Sequence, residues 1–410
     1  MQANVKAASA VEERIAALAG QCVKCGLCLP HCPTYRLAAS EAESPRGRIA
    51  FAQALAQGKL DPSPSVLVHL DNCLACMACE RVCPSKVQYG ELITTTRAWL
   101  CDTAPVSRHA RTLGWLVARP RLLGALLRVA NWPVVRSVVR SHAMQVLLRP
   151  FGLDRALAEL PRLPRVQVAS SQGLASPRGR VGLFLGCVAA SVDRDVHAAA
   201  TRLLRALGYE VVVPHGQGCC GALALHNGDM TQATSLGDVL RAVFGDVGVD
   251  TVLVSASGCF GTLRDHMFAD SGIRVREIHE FIAADSRVDV LRFRALPERI
   301  AVHTPCTQRN VAGAEGAIAR LLARIPQLQA EPLPASPGCC GAAGDYFLRH
   351  PQTADMLRTQ TLDVALVQSP QTLVTSNVGC RVFLGNGLHE RQAQTQITHP
   401  LVLLASQLEN

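Results

Sequence analysis

Aromatic residues and long apolar runs are scarce in this sequence. Only 4% of its 410 residues are aromatic although 49% are hydrophobic, so its cores must be aliphatic and rich in alanine. No window approaches the roughly 20 uninterrupted apolar residues of a membrane-spanning helix, and the start of the chain lacks the apolar segment of a signal peptide. We therefore expect a cytoplasmic protein, peripheral at most on the inner face of the cell membrane.

The P-loop motif of nucleotide-binding proteins is also missing. We expect neither FAD nor NAD on this chain. Its formal net charge of +9 is concentrated between Val106 and Arg165, where eleven arginines face two acidic residues. This segment has no recognised nucleic-acid-binding fold, and we expect no nucleic-acid partner. Its leucines, valines and arginines predict a helical arm that packs on the protein, docks on an acidic partner or lies on an anionic membrane.

Cysteine, by contrast, is abundant, and eight of the seventeen cysteines form two copies of one motif, C-x2-C-x2-C-x3-C-P. In bacterial ferredoxins the first three thiolates of such a run hold one 4Fe–4S cluster and the fourth binds the other cluster. The predicted first cluster is held by Cys22, Cys25, Cys28 and Cys83, and the second by Cys73, Cys76, Cys79 and Cys32. A pair of structural zinc sites is the alternative; the repeated four-thiol spacing, each run ending in proline, favours clusters.

The residues around the two runs predict a small, mostly helical domain. Helices are expected over residues 9–19, capped by Ser9, and from Ser44 to about Gln57. The curled loops need permissive residues, for which Gly26, Ala75 and Ala78 are the candidates. Arg46 and Arg48 either bring positive charge to a cluster or are solvated residues of the first helical turn, and patterning favours the solvated position.

A second repeat, with a period of about 120 residues, fills the C-terminal half. Corresponding cysteines lie 119, 120 or 121 residues apart. The first quartet comprises Cys187, Cys219, Cys220 and Cys259, and the second comprises Cys306, Cys339, Cys340 and Cys380. In each copy a lone cysteine ends an apolar run typical of a buried parallel strand, and a helix follows, over roughly 193–207 and 311–324. This alternation predicts an α/β unit with its thiols at the carboxyl ends of the strands.

Four converging thiols suit an iron–sulfur cluster, a zinc ion or a disulfide-exchange site. The upstream cluster motifs make a redox role the most economical. His279 and His399 also recur in register, as helix caps or, less simply, as ligands or proton carriers. His303 has Phe184 as its counterpart, which hints that the two units differ in task.

The predicted chain is thus a multidomain protein of α+β and α/β class. An N-terminal helical two-cluster ferredoxin domain and a helical arm precede two repeated α/β domains, called CCG domains for their Cys-Cys-Gly motif. The predicted boundaries are 1–105 for the cluster domain, 106–165 for the arm, 166–180 for a linker, 181–297 for the first CCG domain and 298–410 for the second.

These parts together resemble the iron–sulfur subunit of glycolate oxidase (glycolate dehydrogenase) over nearly the whole chain. The resemblance is carried by the two ferredoxin runs, Pro45-Arg-Gly-Arg48-Ile, Ala256-Ser-Gly-Cys259, His303-Thr-Pro-Cys306 and Cys339-Cys340-Gly341-Ala-Ala-Gly344-Asp-Tyr346. Similar parts serve D-lactate dehydrogenases, anaerobic glycerol-3-phosphate dehydrogenase and heterodisulfide reductase. In the last of these the CCG motif ends in C-x-x-C, whereas Thr262 and Phe383 stand at the last position here.

The resemblance implies an electron-transfer subunit without a substrate site of its own. FAD-containing partner subunits would oxidise glycolate to glyoxylate, and this chain would pass the electrons through two 4Fe–4S clusters to a quinone or another acceptor at the membrane side. The alternatives are the same role for D-lactate or glycerol 3-phosphate, a disulfide oxidoreductase whose CCG units are catalytic, and a zinc-binding scaffold. No residue of this chain is assigned a catalytic role, and the CCG quartets are candidates for further metal binding.

Overall fold

The computed structural model of the chain describes residues 2–101, 108–139, 141–148, 155, 159–166, 168, 177–334 and 338–409. For residues 2–9, 108–111, 142 and 145 only the backbone is described. Most of the predicted linker, 166–180, lies outside the described residues.

The N-terminal domain is helical. Its helices are α1 Gln2–Gly20, α2 Pro33–Ala38, α3 Pro45–Ala56, α4 Pro64–Asp71, α5 Ala78–Arg81 and α6 Tyr89–Leu100. Ile15 and Leu18 of α1 are fully buried in an apolar core that α3 and α6 complete. The predicted start of α1 at Ser9 is wrong, because the alanines around it are strong helix formers and let the helix begin at Gln2. The predicted start of α3 is confirmed: Ser44 Oγ accepts the Gly47 N–H at 2.9 Å.

The basic arm forms short helices that lie on the first CCG unit. They are α7 Arg108–Val117, α8 Pro120–Ala130, α9 Pro133–Val139 and α10 His142–Leu148. Leu123 and Leu127 of α8 are buried in the same apolar cluster as Val192 and Phe184. Gly124 permits this approach, since a Cβ there would lie 2.8 Å from Ser191 Oγ. We predicted that the arm packs on the protein, docks on an acidic partner or lies on an anionic membrane. One face of the arm is observed to pack on the protein.

The other face of the arm is apolar and exposed. Leu126, Val129, Trp132 and Val134 are 49–71% exposed. No single helix in the described ranges is both long and apolar enough to cross a membrane; α8 and α9 meet that length and composition only as a pair, which is bent by 87°.

Each CCG unit is built on a parallel four-stranded sheet, as the βα alternation predicted. The first unit contains β1 Gly179–Phe184, α11 Ala189–Val192, α12 Arg194–Ala206, β2 Tyr209–Val212, α13 Ala222–His226, α14 Met230–Asp246, β3 Thr251–Val254, α15 Ser257–Thr262, β4 Arg274–Glu277 and α16 Ile278–Ala283. The strand order is β2-β1-β3-β4, all parallel. Every residue of β3 is buried, as expected for a central strand covered on both faces.

The second unit repeats this plan. It contains β5 Arg299–His303, α17 Cys306–Asn310, α18 Glu315–Leu322, β6 Gln329–Pro332, α19 Tyr346–Arg349, α20 Pro351–Leu366, β7 Thr372–Thr375, α21 Val378–Glu390, β8 Gln396–Thr398 and α22 Pro400–Gln407. The order β6-β5-β7-β8 is again parallel. The predicted helix at 311–324 begins only at Glu315, because Gly313 has a left-handed backbone with φ of +63°.

The two units pack together about an approximate two-fold relation. The first long helix of each unit lies against the last helix of the other, α12 on α22 and α18 on α16. One apolar cluster runs through both units and includes Leu203, Leu204, Ile318 and Leu404. The carboxyl ends of the strands, where the cysteines follow, are thus held by a continuous core.

Candidate metal centres

The two cysteine runs of the N-terminal domain adopt the same backbone curl. Lys24 and Gly26 in the first run, and Ala75 and Met77 in the second, all have left-handed φ angles between 49° and 84°. Left-handed residues turn the chain sharply between ligands and are costly for side chains other than glycine. Such strain, at the same two positions of each run, indicates a functional loop. The Ala75 N–H donates to Cys73 Sγ at 3.5 Å, as expected for a loop that stabilises thiolates.

Sequence reasoning identified only part of this curl. Gly26 and Ala75 adopt the expected left-handed backbone, whereas Ala78 lies in α5. Lys24 and Met77 were missed, because neither residue type favours positive φ by itself. The only available signal was their equivalent position in the two runs.

Cys32 of the first run lies among the cysteines of the second. Burial raises the pKa of the Cys79 thiol well above its usual value, and the nearby thiols of Cys76, Cys73 and Cys32 raise it further. Cys32 is itself buried, and its Sγ lies 3.3 Å from Thr34 Oγ1. This placement is the one that a ligand crossing between two clusters requires. Within the first run, burial raises the pKa of Cys28 to about 11, and the Cys22 thiol lies close enough to add to that rise.

Cys22 and Cys83, which are predicted to share the first cluster, both border the apolar core of the N-terminal domain, while Cys25 is exposed. The assignment of the eight thiols to two clusters stays a prediction.

Arg48 is buried beside these thiols, so its expected solvated position is wrong. Its side chain is 1% exposed. Its Nη1 donates to Thr34 Oγ1 at 3.0 Å and lies 3.9 Å from Cys32 Sγ, while its Nη2 pairs with Glu43. The helical turn before α3 places Glu43 beneath the helix, which the local sequence pattern does not reveal.

The buried charge acts on the second run. Burial alone would raise the pKa of Cys73, but the positive charges of Arg48 and Arg97 outweigh it and lower that pKa. Tyr89 Oη also lies 3.5 Å from Cys73 Sγ. Arg46, in contrast, stays partly exposed, where it pairs with Glu41 and donates to the Lys24 carbonyl at 3.2 Å. One arginine therefore holds the first loop and the other sets the charge at the second.

The CCG quartets occupy equivalent places at the carboxyl edge of each sheet. Their lone cysteines, Cys187 and Cys306, come three residues after β1 and β5. The Gly221 N–H donates to Cys219 Sγ at 3.4 Å, and the Gly341 N–H donates to Cys339 Sγ at 3.5 Å. Both glycines have left-handed backbones, and each N–H is aimed back at the first cysteine of its pair.

The thiols of each quartet converge. In the second unit Cys340 Sγ lies 2.9 Å from Cys380 Sγ, and Cys306 Sγ lies 4.0 Å from Cys339 Sγ. In the first unit Cys187 and Cys220 hydrogen-bond to Cys219, and these bonds hold the pKa of Cys219 well below its usual value. Cys220 also bonds to Cys259. In the second unit, the hydrogen bond with Cys339 and burial raise the pKa of Cys306.

The donor set of these sites fits iron–sulfur clusters. All predicted ligands are thiols, backbone N–H groups point at their sulfurs, and a buried guanidinium offsets negative charge at the second run. Within the described ranges, no three His, Cys, Asp or Glu side chains form a group that could hold a single metal ion, so the fit to clusters rests on the kind and placement of the thiols.

Thr262 and Phe383, which replace the last cysteine of the full motif, are both buried. The Phe383 ring packs against Phe347 with centroids 5.5 Å apart and lies under the Arg358 guanidinium. The last motif position therefore serves packing in the second unit.

Two asparagines near the quartets were missed from the sequence. Asn377 accepts the Gly258 N–H at 3.2 Å and places its Nδ2 3.7 Å from Cys380 Sγ, so it links the cysteine loops of the two units. Asn310 donates to the Cys76 carbonyl at 2.8 Å. The signal for Asn377 was a break in the repeat, since Ala256 stands three residues before Cys259 where Asn377 stands three before Cys380.

The paired histidines are structural. His399 Nδ1 accepts the Leu401 N–H at 3.1 Å and caps α22. His279 Nδ1 lies 2.6 Å from Glu277 Oε1. The imidazole rings of His279 and His399 stack with their centroids 5.2 Å apart, where the two units meet. His399 thus serves as a helix cap, whereas Glu277 caps the helix at His279 and His279 packs against both.

Comparison with known proteins agrees with this geometry. Models of two families match the chain: the 4Fe-4S dicluster domain at residues 19–87 and the cysteine-rich domain at residues 181–264 and 300–385. The chain therefore joins a region that matches the dicluster domain to two regions that match the cysteine-rich domain, and these matches support its expected role in electron transfer.

Individual proteins that are similar to the chain show the resemblance in more detail. The chain is 29% identical to the glycolate oxidase iron-sulfur subunit of Escherichia coli (strain K12) over 95% of its own length and 94% of the relative. It is 28% identical to the probable glycolate oxidase iron-sulfur subunit of Bacillus subtilis (strain 168), with coverage of 90% and 88%. One subunit of the fumarate reductase (CoM/CoB) of Methanothermobacter marburgensis is 24% identical, with coverage of 90% and 68%. The resemblance inferred from the motifs is confirmed.

Proposed function

We propose that this chain is the iron–sulfur electron-transfer subunit of a glycolate dehydrogenase. The observation that carries the proposal is the paired cysteine loop, in which Cys32 lies among Cys73, Cys76 and Cys79, in a chain similar to glycolate oxidase iron-sulfur subunits over nearly its full length. Glycolate would be oxidised to glyoxylate on FAD-containing partner subunits. This chain would work at the cytoplasmic side, peripheral to the membrane, and deliver electrons to a quinone or another membrane-side acceptor.

In this proposal the eight thiols of the N-terminal domain hold two 4Fe–4S clusters, with the ligand sets given above. Bound clusters of this kind accept and release single electrons. The chain's own residues set the conditions for that exchange. Arg48 keeps a fixed positive charge beside Cys32 and Cys73, and Tyr89 closes the second site from within the apolar core. The two CCG quartets are proposed as further iron–sulfur sites.

A large cleft lies between the N-terminal domain and the two CCG units. It has a volume of about 1430 Å³ and is lined by Met77, Trp99, His226, Thr262 and Val311, among others. It lies next to the second cysteine run, at Ala75 and Met77. A partner segment entering it would come close to the second predicted cluster, which suits electron exchange with another protein.

Metal analysis tests the cofactor part of the proposal. The full chain, purified and reconstituted without oxygen, should contain about eight irons for the dicluster domain alone and more if the quartets are loaded, with matching acid-labile sulfide and cubane EPR signals on reduction. Zinc without sulfide would overturn the proposal in favour of a scaffold.

Activity tests the substrate part. The chain should support dye reduction by glycolate only when it is co-expressed with flavoprotein subunits. Faster turnover of D-lactate by the same complex would replace glycolate with that substrate. Turnover of a disulfide by this chain alone would assign the catalysis to the CCG units instead.

A further inference from the structure

The two cysteine quartets are copies of one another, but the dicluster domain meets them differently. Leu74 and Cys76, from the second cysteine run, are buried in the apolar cluster that contains Cys339, Cys340 and Cys380. Cys306 packs at the edge of the same cluster. The cysteine loop of the dicluster domain and the second quartet therefore share one dry core.

Polar contacts fix this docking at the residues next to the cysteines. Asn310, at the end of the helix that Cys306 begins, donates to the Cys76 carbonyl at 2.8 Å. Tyr346, which follows the Cys339-Cys340 turn, hydrogen-bonds to Asn72 Oδ1 at 2.5 Å. Further out, Arg81 pairs with Glu315 at 2.6 Å. The contacts begin beside the ligands on both sides, so the relative position of the two thiol sets is well defined.

The first quartet is covered by different elements. Cys219 and Cys220 lie in an apolar cluster with Val117, Leu123 and Leu127 of the basic arm. The dicluster domain touches the first unit through α6 instead, where Arg97 donates to the His226 carbonyl at 3.1 Å. That contact lies beyond the Cys219-Cys220 turn.

We propose that only the second quartet exchanges electrons directly with the dicluster domain, by way of Cys76 on one side and Cys306 and Cys339 on the other. The inference rests on the proposed function, because it needs iron–sulfur groups at both thiol sets. With iron–sulfur groups bound at both thiol sets, the reduced group held by Cys73, Cys76, Cys79 and Cys32 would give up one electron, and the group held by the second quartet would be reduced by it. No bond breaks and no proton moves.

Short separation favours this exchange, since electronic coupling falls steeply with the distance between centres. The first quartet has no equivalent contact among the described residues and would receive electrons only indirectly. The 120-residue repeat has thus produced two similar sites, of which one is joined to the electron path.

The repeat supplies a matched pair of variants for the test, Cys306→Ser and Cys187→Ser, at equivalent positions of the two units. The full chain, reconstituted anaerobically, is titrated by EPR at controlled potentials. We expect Cys306→Ser to shift the midpoint potential of a dicluster-domain signal and to remove its broadening by a neighbouring paramagnet, and Cys187→Ser to leave both unchanged. Equal effects of the two variants, or no effect of either, would overturn the inference.

Two further measurements keep the outcomes distinct. If the wild-type chain shows no cubane signal, the proposed function fails; if it shows the signals but the variants behave alike, only this inference fails. Asn310→Ala serves where Cys306→Ser loses iron from the N-terminal domain, because it leaves every cysteine in place. It should weaken the magnetic broadening in the chain with its full iron content, and unchanged broadening would count against the direct contact.

Discussion

The cysteine runs of the dicluster domain and the quartets of the CCG units hold thiols by different means. In the runs, short loops with left-handed residues wrap around the sulfurs, and a buried arginine supplies charge from the side. In the quartets, the thiols stand at the ends of parallel strands, and glycines at +76° and +91° make the turn. The local backbone curl positions the thiols of the runs, and the parallel sheet positions the thiols of the quartets. Different substitutions should therefore destabilise the two kinds of site.

The largest effect on stability is expected from a substitution beside the cysteine runs. Arg48→Ala removes the arginine that pairs with buried Glu43, which then keeps only His69 and Asn72 as partners. This loss should lower the free energy of unfolding by up to about 3–5 kcal/mol. It should also lower the reduction potential of the second predicted cluster, because a positive charge near Cys32 and Cys73 favours the reduced state. Urea unfolding and an EPR redox titration measure the two effects. Arg46→Ala is the control: its pair with Glu41 is exposed, so little change in stability is expected.

The next effect is on the quartets. Gly341→Ala should cost at least about 1–3 kcal/mol, because φ is +91° and the new Cβ would lie 2.5 Å from the Ala354 carbonyl oxygen. Gly221→Ala should cost less, since its nearest neighbour is the flexible end of Met267 at 2.8 Å. Thermal unfolding of both variants compares the two turns. Gly218→Ala, with nothing within 4 Å, should behave as wild type. Equal losses at all three positions would show that the losses do not come from the left-handed backbone or the close contacts at Gly221 and Gly341.

A third prediction concerns the scaffold between the quartets. His197 is fully buried and neither ring nitrogen has a hydrogen-bond partner among the described residues. Burial, with a smaller contribution from Arg381, lowers its pKa to about 3. Since the unfolded chain binds this proton near pH 6.5 and the folded chain does not, unfolding becomes easier as pH falls between these values, by about 1.4 kcal/mol per pH unit.

The measurement is urea unfolding at several pH values between 7 and 5. His197→Leu should reduce the slope of the pH dependence, while part of it remains because burial also lowers the pKa of His226 and of His303 to about 4. His215→Gln, at an exposed position, should leave the slope as in wild type. If His197→Leu keeps the wild-type slope, other groups cause the acid sensitivity.

The smallest effect on stability is expected from a second substitution beside the cysteine runs. Tyr89→Phe removes the hydroxyl that lies 3.5 Å from Cys73 Sγ and should change the unfolding free energy by about 0.5–1.5 kcal/mol. If this hydroxyl donates to the sulfur, its loss should also lower the potential of the second predicted cluster slightly. An unchanged EPR titration would show that Tyr89 only packs there.

Much of the fold follows from local patterns in the sequence. The cap of α3 at Ser44, the parallel strands and the convergence of each quartet were predictable, because a capping residue, an apolar run and a repeated motif each act over a few residues. The start of α1 and the burial of Arg48 were not, because alanines extend a helix past a capping residue and because the partner of Arg48 comes from a turn whose path the pattern does not reveal.

The sequence by itself determined the donor chemistry: sixteen cysteines in two repeats, with spacings that bring thiols together within each loop or sheet edge. Only the tertiary structure decided which quartet meets the dicluster domain. The deciding contact joins Asn310 to Cys76, 234 residues apart in the chain. The two units share the same cysteine spacing, so the cysteine pattern does not show which of them meets the dicluster domain; that depends on how whole surfaces of the folded domains fit together.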